Sequence, residues 1–161
     1  MSRSNSVPST PFEAHITDLG HDGRGVARID GKTVFVSGAL LGEQVLAKLR
    51  KRHRHFDEAD VVEVLVPSPH RVEPRCRHFA HCSGCSLQHL DAPSKIAAKQ
   101  RVLAENFERI GKVTPQLWLP PLSGAPWGYR RKGRLSVRNV AKKGRVLVGF
   151  REEQNPRFVA E

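Results

Sequence analysis

The residues best suited to chemistry in this chain are three cysteines in one short segment. Cys76, Cys82 and Cys85 lie within ten positions, have the spacing C-x5-C-x2-C, and are all the cysteines of the chain. The residues around them include Arg, His, Ser and Gly, which do not build a hydrophobic core. Gly84 allows the backbone to turn so that two thiolates face one centre. The pattern is typical of a soft metal centre.

Three interpretations of this segment are open from the residues alone. Ligand softness and spacing favour an iron–sulfur cluster over a zinc ion, and unmetallated thiols are the third interpretation. A cluster or a tetrahedral zinc site needs a fourth ligand, and the chain has no fourth cysteine. His78, His81 or His89 could supply it for zinc; otherwise it lies outside these residues. A disulfide framework is disfavoured because the cysteine count is odd and no secretory signal pattern is present.

The composition indicates a phosphate-bearing partner. The chain has 27 Lys and Arg against 16 Asp and Glu, a formal net charge of +11. No apolar run is long enough to cross a bilayer, and no basic amphipathic helix with a broad apolar face is evident. We therefore expect nucleic acid as the partner, and no membrane. Reduced, closely spaced thiols favour a cytoplasmic location.

The cations are clustered in two segments, for which a solvated surface is the alternative interpretation. A run of like charges repels itself unless a polyanion lies against it, so we predict that both segments bind RNA. The first cluster is predicted to form a hairpin tip and contains Lys48, Arg50, Lys51, Arg52 and Arg54. The second cluster lies in a predicted hairpin, and its candidate RNA contacts are Arg130, Arg131, Lys132, Arg134 and Arg138.

Three aromatic residues beside these clusters offer stacking surfaces for bases. They are Phe56, Trp127 and Tyr129. For Phe56 we favour a place in the core of the first domain. For Trp127 we favour packing of the second hairpin onto the preceding helix.

The elements before the cysteines are predicted to be five short strands. Apolar and polar residues alternate in residues 12–17, and further strand-like segments cover residues 23–29, 32–36, 45–49 and 59–66. Asp30-Gly31 is a strong signal for a two-residue hairpin turn. Five strands with glycine at the bends predict a small OB-like barrel, and an SH3-like barrel has the same sequence signals.

The elements after the cysteines are predicted to be a helix and a hairpin. Asp91 is the expected N-cap and Gly111 the expected C′ residue. The apolar residues of the helix lie on one face that should pack on the following sheet: Ile96, Leu103, Phe107 and Ile110. The hairpin is predicted from residues 127–138 and 145–151, and residues 155–161 have the pattern of a further strand.

Three motifs together resemble the RNA (uracil-5-)-methyltransferases. The run GHDGRGVA at residues 20–27 is similar to a TRAM domain, an OB-like RNA-binding module. The three cysteines, followed by residues 88–90 (QHL), resemble the iron–sulfur segment of the family. Residues 126–135 (PWGYRRKGRL) resemble the start of its central RNA-binding domain. The combination is more specific than any one motif.

The resemblance implies a [4Fe-4S] cluster held by Cys76, Cys82 and Cys85 together with a fourth ligand outside this chain. It also implies that S-adenosylmethionine, the nucleophilic cysteine and the general base belong to a C-terminal domain that these residues lack. No residue here is therefore expected to be catalytic. The implied activity of the full-length enzyme is transfer of a methyl group to C5 of uridine in RNA. The expected substrate is 23S ribosomal RNA, and the expected oligomeric state is a monomer.

The fold class that follows is mainly β: a five-stranded OB-like TRAM barrel, a cysteine loop and an α+β segment. We expect a flexible tail at 1–10, the TRAM domain at 11–69, the iron–sulfur segment at 70–90 and the start of a central domain at 91–161. The alternative function is a self-contained, non-enzymatic RNA-binding protein with a structural zinc site.

Overall fold

The computed structural model describes residues 10–153, without the side chain of Lys143. Most of the predicted tail and the strand predicted at 155–161 lie outside the described residues. The chain forms two compact units, Met1–Arg71 and Val72–Glu161. The finer division into four segments stays a prediction.

The first unit is a six-stranded sheet. Its strands are β1 (Phe12–His15), β2 (Asp18–Leu19), β3 (Gly25–Ile29), β4 (Lys32–Ser37), β5 (Gln44–Arg52) and β6 (Phe56–Val66). Their order in the sheet is β1-β5-β6-β4-β3-β2. Neighbouring strands are antiparallel except β4 and β6, which are parallel.

The two edge strands of this sheet are consecutive in the chain. Ile16 and Thr17 separate β1 from β2; the Ile16 N–H donates to the Glu43 carbonyl at 2.9 Å, and the Thr17 N–H donates to the Val26 carbonyl at 2.9 Å. β1 and β2 therefore behave as two halves of one bent strand, of which one half pairs with β5 and the other with β3. Counted in this way, the five predicted strands form a partly open OB-like arrangement. Taken as six separate strands, the sheet has β1 and β2 at its two edges with no ladder between them, so it is not closed. The prediction of a mainly β fold is confirmed.

The core of the first unit consists of small and branched residues from alternate strand positions. They are Ala14, Ile16, Ala27, Val34, Val36, Ala39, Val45, Ala47 and Ala59. Gly25 is required by this packing, because a Cβ atom there would lie 2.9 Å from Ile16 Cγ2 and 3.0 Å from Ala39 Cβ. Such distances are shorter than real Cβ contacts. The backbone at residue 25 therefore lies so close to Ile16 and Ala39 that only glycine fits there.

A buried ion pair joins the end of the first unit to its core. Glu43 is fully buried, and its Oε1 accepts from Arg71 Nε at 2.6 Å while its Oε2 accepts from Arg71 Nη2 at 2.8 Å. The backbone N–H groups of Leu40 and Ser68 also donate to this carboxylate. Burial would raise the pKa of Glu43, but the hydrogen bonds from Arg71, Leu40 and Ser68 outweigh it and hold the pKa below its ordinary value.

β5 and β6 are longer than their sequence pattern predicted. β5 continues to Arg52 and β6 begins at Phe56, so residues 53–55 alone form the connection. The prediction that the first cation cluster is a hairpin tip was therefore wrong for all its members except Arg54. The strands extend because a carboxylate-bearing strand lies opposite: Arg50 pairs with Glu58 at 3.3 Å.

The turn between β3 and β4 agrees with its sequence signal. Asp30 and Gly31 have φ values of 51° and 78°. Two successive residues with positive φ are the signature of a type I′ hairpin turn, for which Asp-Gly is a preferred pair.

The second unit contains one α-helix and one hairpin. The helix α1 covers Ala92–Asn106 and continues as a π-helical turn, Phe107–Gly111. The hairpin consists of β7 (Ser136–Val140), a 3₁₀ turn (Ala141–Lys143) and β8 (Arg145–Gly149). Within residues 10–153, no helix has the length and apolar character needed to span a bilayer.

The start of α1 was predicted correctly and its end was not. Asp91 caps the helix: its Oδ1 accepts from the Ser94 N–H at 2.7 Å and its Oδ2 from the Ser94 hydroxyl at 3.0 Å. At the other end Lys112, not Gly111, adopts the left-handed conformation, with φ of 52°. The π-helical turn shifts the termination by one residue.

The apolar face of the helix is less covered than predicted. No residue of α1 or of the π-helical turn is buried, and Ile110 is 78% exposed. Phe107 makes an edge contact with Trp118 at a ring separation of 5.8 Å. The predicted packing of this face into a sheet is therefore not present among the described residues.

Candidate nucleic-acid interface and cysteine segment

The first cation cluster lies along β5 and the loop that follows it. Lys48, Lys51, Arg52 and Arg54 are exposed, whereas Arg50 is half-buried. Arg50 is also partly neutralised, because its guanidinium contacts Glu58 at 3.3 Å and Asp60 at 3.7 Å. The exposed members are therefore better placed than Arg50 to meet a polyanion.

Arg24, which the sequence analysis did not single out, lies on the same side of the sheet as Arg50, because both side chains contact Glu58. Arg24 Nε contacts Asp22 Oδ2 at 2.7 Å, and Arg24 Nη1 contacts Glu58 Oε1 at 3.4 Å. The guanidinium carbon is 4.7 Å from the centre of the Phe35 ring. Asp22 is half-buried, which alone would raise its pKa, but hydrogen bonds from the backbone and side chain of Arg24 hold that pKa below its ordinary value.

Phe56 lies outside the core that sequence reasoning favoured for it. On β6 the buried residues are Asp57 and Ala59, so Phe56 points to the opposite face. The His53 ring stacks on Phe56 at 4.3 Å with an interplanar angle of 23°, and the Phe35 ring meets Phe56 edge-on at 5.5 Å. This surface is called the aromatic face below, and its residues are Arg24, Phe35, His53, Phe56 and Glu58.

The second cation cluster is mostly outside regular structure. Arg130, Arg131, Lys132 and Arg134 are exposed and precede β7, whereas Arg138 is exposed on β7 itself. The predicted strand from residue 127 therefore begins only at residue 136, because the glycine- and arginine-rich stretch before it has no pairing partner among residues 10–153. The structure does not bring the two predicted cation clusters into one unit.

The aromatic residues of the second cluster contact arginines. Arg75 lies 5.3 Å from the Trp127 ring centre, and Arg130 lies 5.7 Å from that of Tyr129. Tyr129 is 69% exposed and Trp127 43%. Both rings are therefore accessible, and the predicted sealing contact of Trp127 with the helix is replaced by a contact with Arg75.

The cysteine segment is a series of turns tied to the chain after β8. The Cys82 N–H donates to the His78 carbonyl at 2.8 Å, and the Gly84 N–H donates to Cys82 Sγ at 3.4 Å. Cys82 forms an isolated β-bridge with Glu152. The Cys76 N–H donates to the Gln88 side chain at 3.3 Å. Backbone contacts thus anchor the segment at Cys76 and at Cys82.

The three thiols suit a soft metal in type but not in arrangement. All are free; Cys76 and Cys82 are half-buried and Cys85 is exposed. Within residues 10–153, no group of three or more His, Cys, Asp or Glu side chains is placed to hold a metal ion. His89, a candidate zinc ligand by sequence, is 1% exposed and packs against Phe79 at 5.1 Å. Neither a cluster nor a zinc site is therefore shown by the described residues.

One comparison with known proteins identifies a domain of this chain, and others match nearly its whole length. Residues 10–62 match the model of the TRAM domain. The chain is 63% identical over 160 residues to the 23S rRNA (uracil(1939)-C(5))-methyltransferase RlmD of Xanthomonas oryzae pv. oryzae. It is 61% identical over 165 residues to the RlmD of Stenotrophomonas maltophilia. This chain is homologous to the rRNA uracil-C5 methyltransferases.

The likeness to these methyltransferases covers nearly all of this chain but only part of each relative. It includes 98% and 100% of the chain, and 36% and 37% of the two relatives. The chain thus spans little more than a third of their length. The resemblance recognised from the three sequence motifs, and the TRAM domain within it, are confirmed.

Among solved structures, a similar one is the solution structure of a conserved protein from the gene locus MMP0076 of Methanococcus maripaludis. It is 32% identical, with a TM-score of 0.33, and the match covers 38% of this chain and 99% of that protein.

Proposed function

We propose that this chain is the RNA-binding part of a 23S rRNA (uracil-5-)-methyltransferase, an enzyme that transfers a methyl group from S-adenosylmethionine to C5 of uridine. The observation that carries the proposal is the identity of 61–63% along 98–100% of the chain to relatives with this named activity. No residue of this chain is assigned a catalytic role, and S-adenosylmethionine is taken to bind outside it. The cytoplasmic location and the monomeric state remain predictions.

The TRAM domain is proposed to contact RNA with the side of the sheet that carries the aromatic face. OB-like barrels bind oligonucleotides on their second and third strands and in the two loops beside them. If β1 and β2 count as one strand, these strands are β3 and β4, and the loops are residues 20–24 and 53–55. Three exposed cations, Lys51, Arg52 and Arg54, lie at or next to the second loop. Charge and strand order therefore support the same surface.

The second unit is proposed to add phosphate contacts through the second cation cluster. Its arginines are exposed, and guanidinium groups bind phosphate in a bidentate manner. A target base inside folded RNA must leave its stack before methylation, at a cost of a few kcal/mol. Backbone contacts from two basic surfaces would offset that cost in the whole enzyme.

The test of this proposal is the binding of the chain to a 23S rRNA transcript in a salt series. We compare the wild type with a variant in which Arg130, Arg131 and Arg134 are replaced by alanine. Loss of three phosphate contacts should weaken binding and reduce the log–log salt slope by about 2, because each contact contributes roughly 0.7. An unchanged slope would contradict a role for the second cluster.

The matched control removes the same charge from a different surface. Lys95, Lys99 and Arg109 lie on α1 and its π-helical turn, outside both cation clusters. Their replacement by alanine lowers the net charge equally. A control variant that loses as much affinity as the test variant would show that total charge, not the second cluster, controls binding.

The cysteines are proposed to hold three corners of a [4Fe-4S] cluster whose fourth ligand lies outside the chain. Two observations support this: the thiols are free, and the Gly84 N–H donates to Cys82 Sγ, a contact of the kind that surrounds cluster sulfur atoms. The test is iron, sulfide and zinc analysis of a protein extended to the length of its relatives. Iron and acid-labile sulfide in equal amounts would support the cluster. Zinc without iron would support the alternative of a structural zinc site.

A further inference from the structure

We propose that Arg24, whose guanidinium lies over the Phe35 ring, forms a platform for one unpaired base of a single-stranded RNA segment. This inference rests on the proposed RNA-binding function and names the chemical group that one part of the surface would take. Bases in single strands stack on aromatic rings and on guanidinium planes. The platform combines the two, with the arginine as the outer layer.

The position of Phe35 follows from the alternation of β4. Val34 and Val36 are 2% and 0% exposed and belong to the core. Phe35, between them, therefore projects from the other face of the sheet. Its partner in the parallel register is Glu58 of β6. The ring and the carboxylate thus lie side by side on the outer surface.

Two carboxylates hold the guanidinium of Arg24 through its N–H groups. Its Nε binds Asp22 at 2.7 Å and its Nη1 binds Glu58 at 3.4 Å. Both contacts use N–H groups in the plane of the guanidinium, so the face away from Phe35 is not occupied by either carboxylate. The Arg24 side chain is 26% exposed, so part of it is in contact with solvent. Because the group is already ordered, stacking a base on it costs little side-chain entropy.

Phosphate-binding cations lie close to this platform. Lys51 is opposite Glu58 in the pairing of β5 with β6 and shares its face of the sheet, and Arg54 lies in the loop that follows β5. The side chains of Lys51 and Arg54 are exposed. A nucleotide whose base covers Arg24 would therefore have cations available for its backbone. Glu58 and Asp22 act here as positioning residues, because they orient Arg24 and do not contact RNA.

The experiment measures base stacking separately from charge. The 161-residue chain is titrated with a short fluorescent oligouridylate and with the same oligomer carrying abasic residues, each over a salt series. If a base stacks on Arg24, the wild type should bind the base-containing oligomer roughly 5- to 150-fold more tightly, a preference that persists at high salt. Equal affinity for the two oligomers would overturn the inference without any variant being needed.

A conservative substitution then locates the preference. Arg24→Lys keeps the charge but loses the planar group, so the preference for bases should fall while the salt slope stays unchanged. Arg109→Lys is the matched control, because Arg109 is an exposed cation of the π-helical turn outside both cation clusters, and it should alter neither quantity. A base preference that survives Arg24→Lys would place stacking elsewhere and refute the platform.

A spectroscopic signal gives an independent reading. An oligomer containing 2-aminopurine should lose fluorescence when its base stacks on the wild-type chain, and this quenching should be weaker with Arg24→Lys.

Failure of the inference and failure of the proposed function give different results. Steep salt dependence without base preference refutes only the platform, whereas a flat salt titration of the wild type refutes RNA binding by this chain.

Discussion

Replacing Glu43 by glutamine should strongly destabilise the first unit. The substitution keeps the shape of the side chain but removes its charge and turns one acceptor into an NH₂ group. Both carboxylate oxygens now accept two hydrogen bonds each, from Arg71, Leu40 and Ser68. In the variant, the NH₂ group of the glutamine must face N–H donors, and Arg71 loses its counter-ion.

The magnitude follows from the burial of the pair. Removing one partner of a buried ion pair costs about 3–5 kcal/mol. The Glu43 side chain is fully buried, but that of Arg71 is 24% exposed, so water can reach part of the guanidinium. We therefore expect about 3 kcal/mol, the lower end of that range. Glu13→Gln is the control: Glu13 is exposed on β1, so its replacement should change stability by no more than about 0.5 kcal/mol.

The assay must report on the first unit alone. Both tryptophans, Trp118 and Trp127, belong to the second unit, so fluorescence follows that unit. Native-state hydrogen exchange of the β5 and β6 amides measures the opening free energy of the first unit. Glu43→Gln should lower it while the tryptophan signal stays unchanged. A loss of less than about 0.5 kcal/mol would refute the assigned role of the ion pair.

The same pair predicts a pH dependence with a definite sign. The pKa of Glu43 in the fold lies below its ordinary value, so its contribution to stability is fully present above that ordinary value and is lost as the pH falls through the folded value. The stability difference between wild type and Glu43→Gln should therefore shrink on acidification. A difference that stays constant down to acid pH would contradict the linkage.

Two further predictions concern single contacts in each unit. Gly25→Ala should destabilise the first unit by about 1–3 kcal/mol, because the new methyl group would overlap Ile16 and Ala39; urea unfolding followed by circular dichroism tests this, and an unchanged midpoint would contradict it. Asp91→Ala should cost about 1 kcal/mol and increase exchange of the Ser94 amide, which the Asp91 carboxylate now binds; unchanged exchange would show that the cap is dispensable.

Features with local causes were predictable from the sequence. The Asp30-Gly31 turn and the Asp91 cap depend on residues next to each other or three apart, and both are present in the structure. The alternation of apolar and polar residues in 12–17 likewise predicted a strand, and β1 covers Phe12–His15 of that segment. The TRAM domain was recognisable because its glycine-rich turn has a characteristic local sequence.

Features that depend on distant contacts were not predictable. Arg24 meets Glu58 from 34 positions away, and Arg71 meets Glu43 from 28 positions away, so no periodic pattern connects them. The same holds for the extent of β5: its charged end is stabilised by Glu58 and Asp60 across the sheet. Sequence composition therefore indicated a cationic cluster but not which of its members are neutralised.

The candidate site shows most clearly the difference between features with local causes and features that depend on distant contacts. The exposed cations at 51–54 and 130–134 are where clustering suggested, because charged side chains remain at the surface. The position of Arg24 over Phe35 and the outward orientation of Phe56 could be predicted only with knowledge of the register of three strands. The spacing of the cysteines suggested a metal centre, yet spacing alone does not define where the sulfur atoms point.

The most direct test of the central claim is a salt titration of the wild-type chain with a structured 23S rRNA transcript. If about six phosphates are engaged, the log–log slope should be roughly −4, so affinity should fall by roughly 250-fold between about 50 and about 200 mM salt. A slope near zero, or no binding at the lower salt concentration, would contradict the account that the two basic surfaces bind RNA.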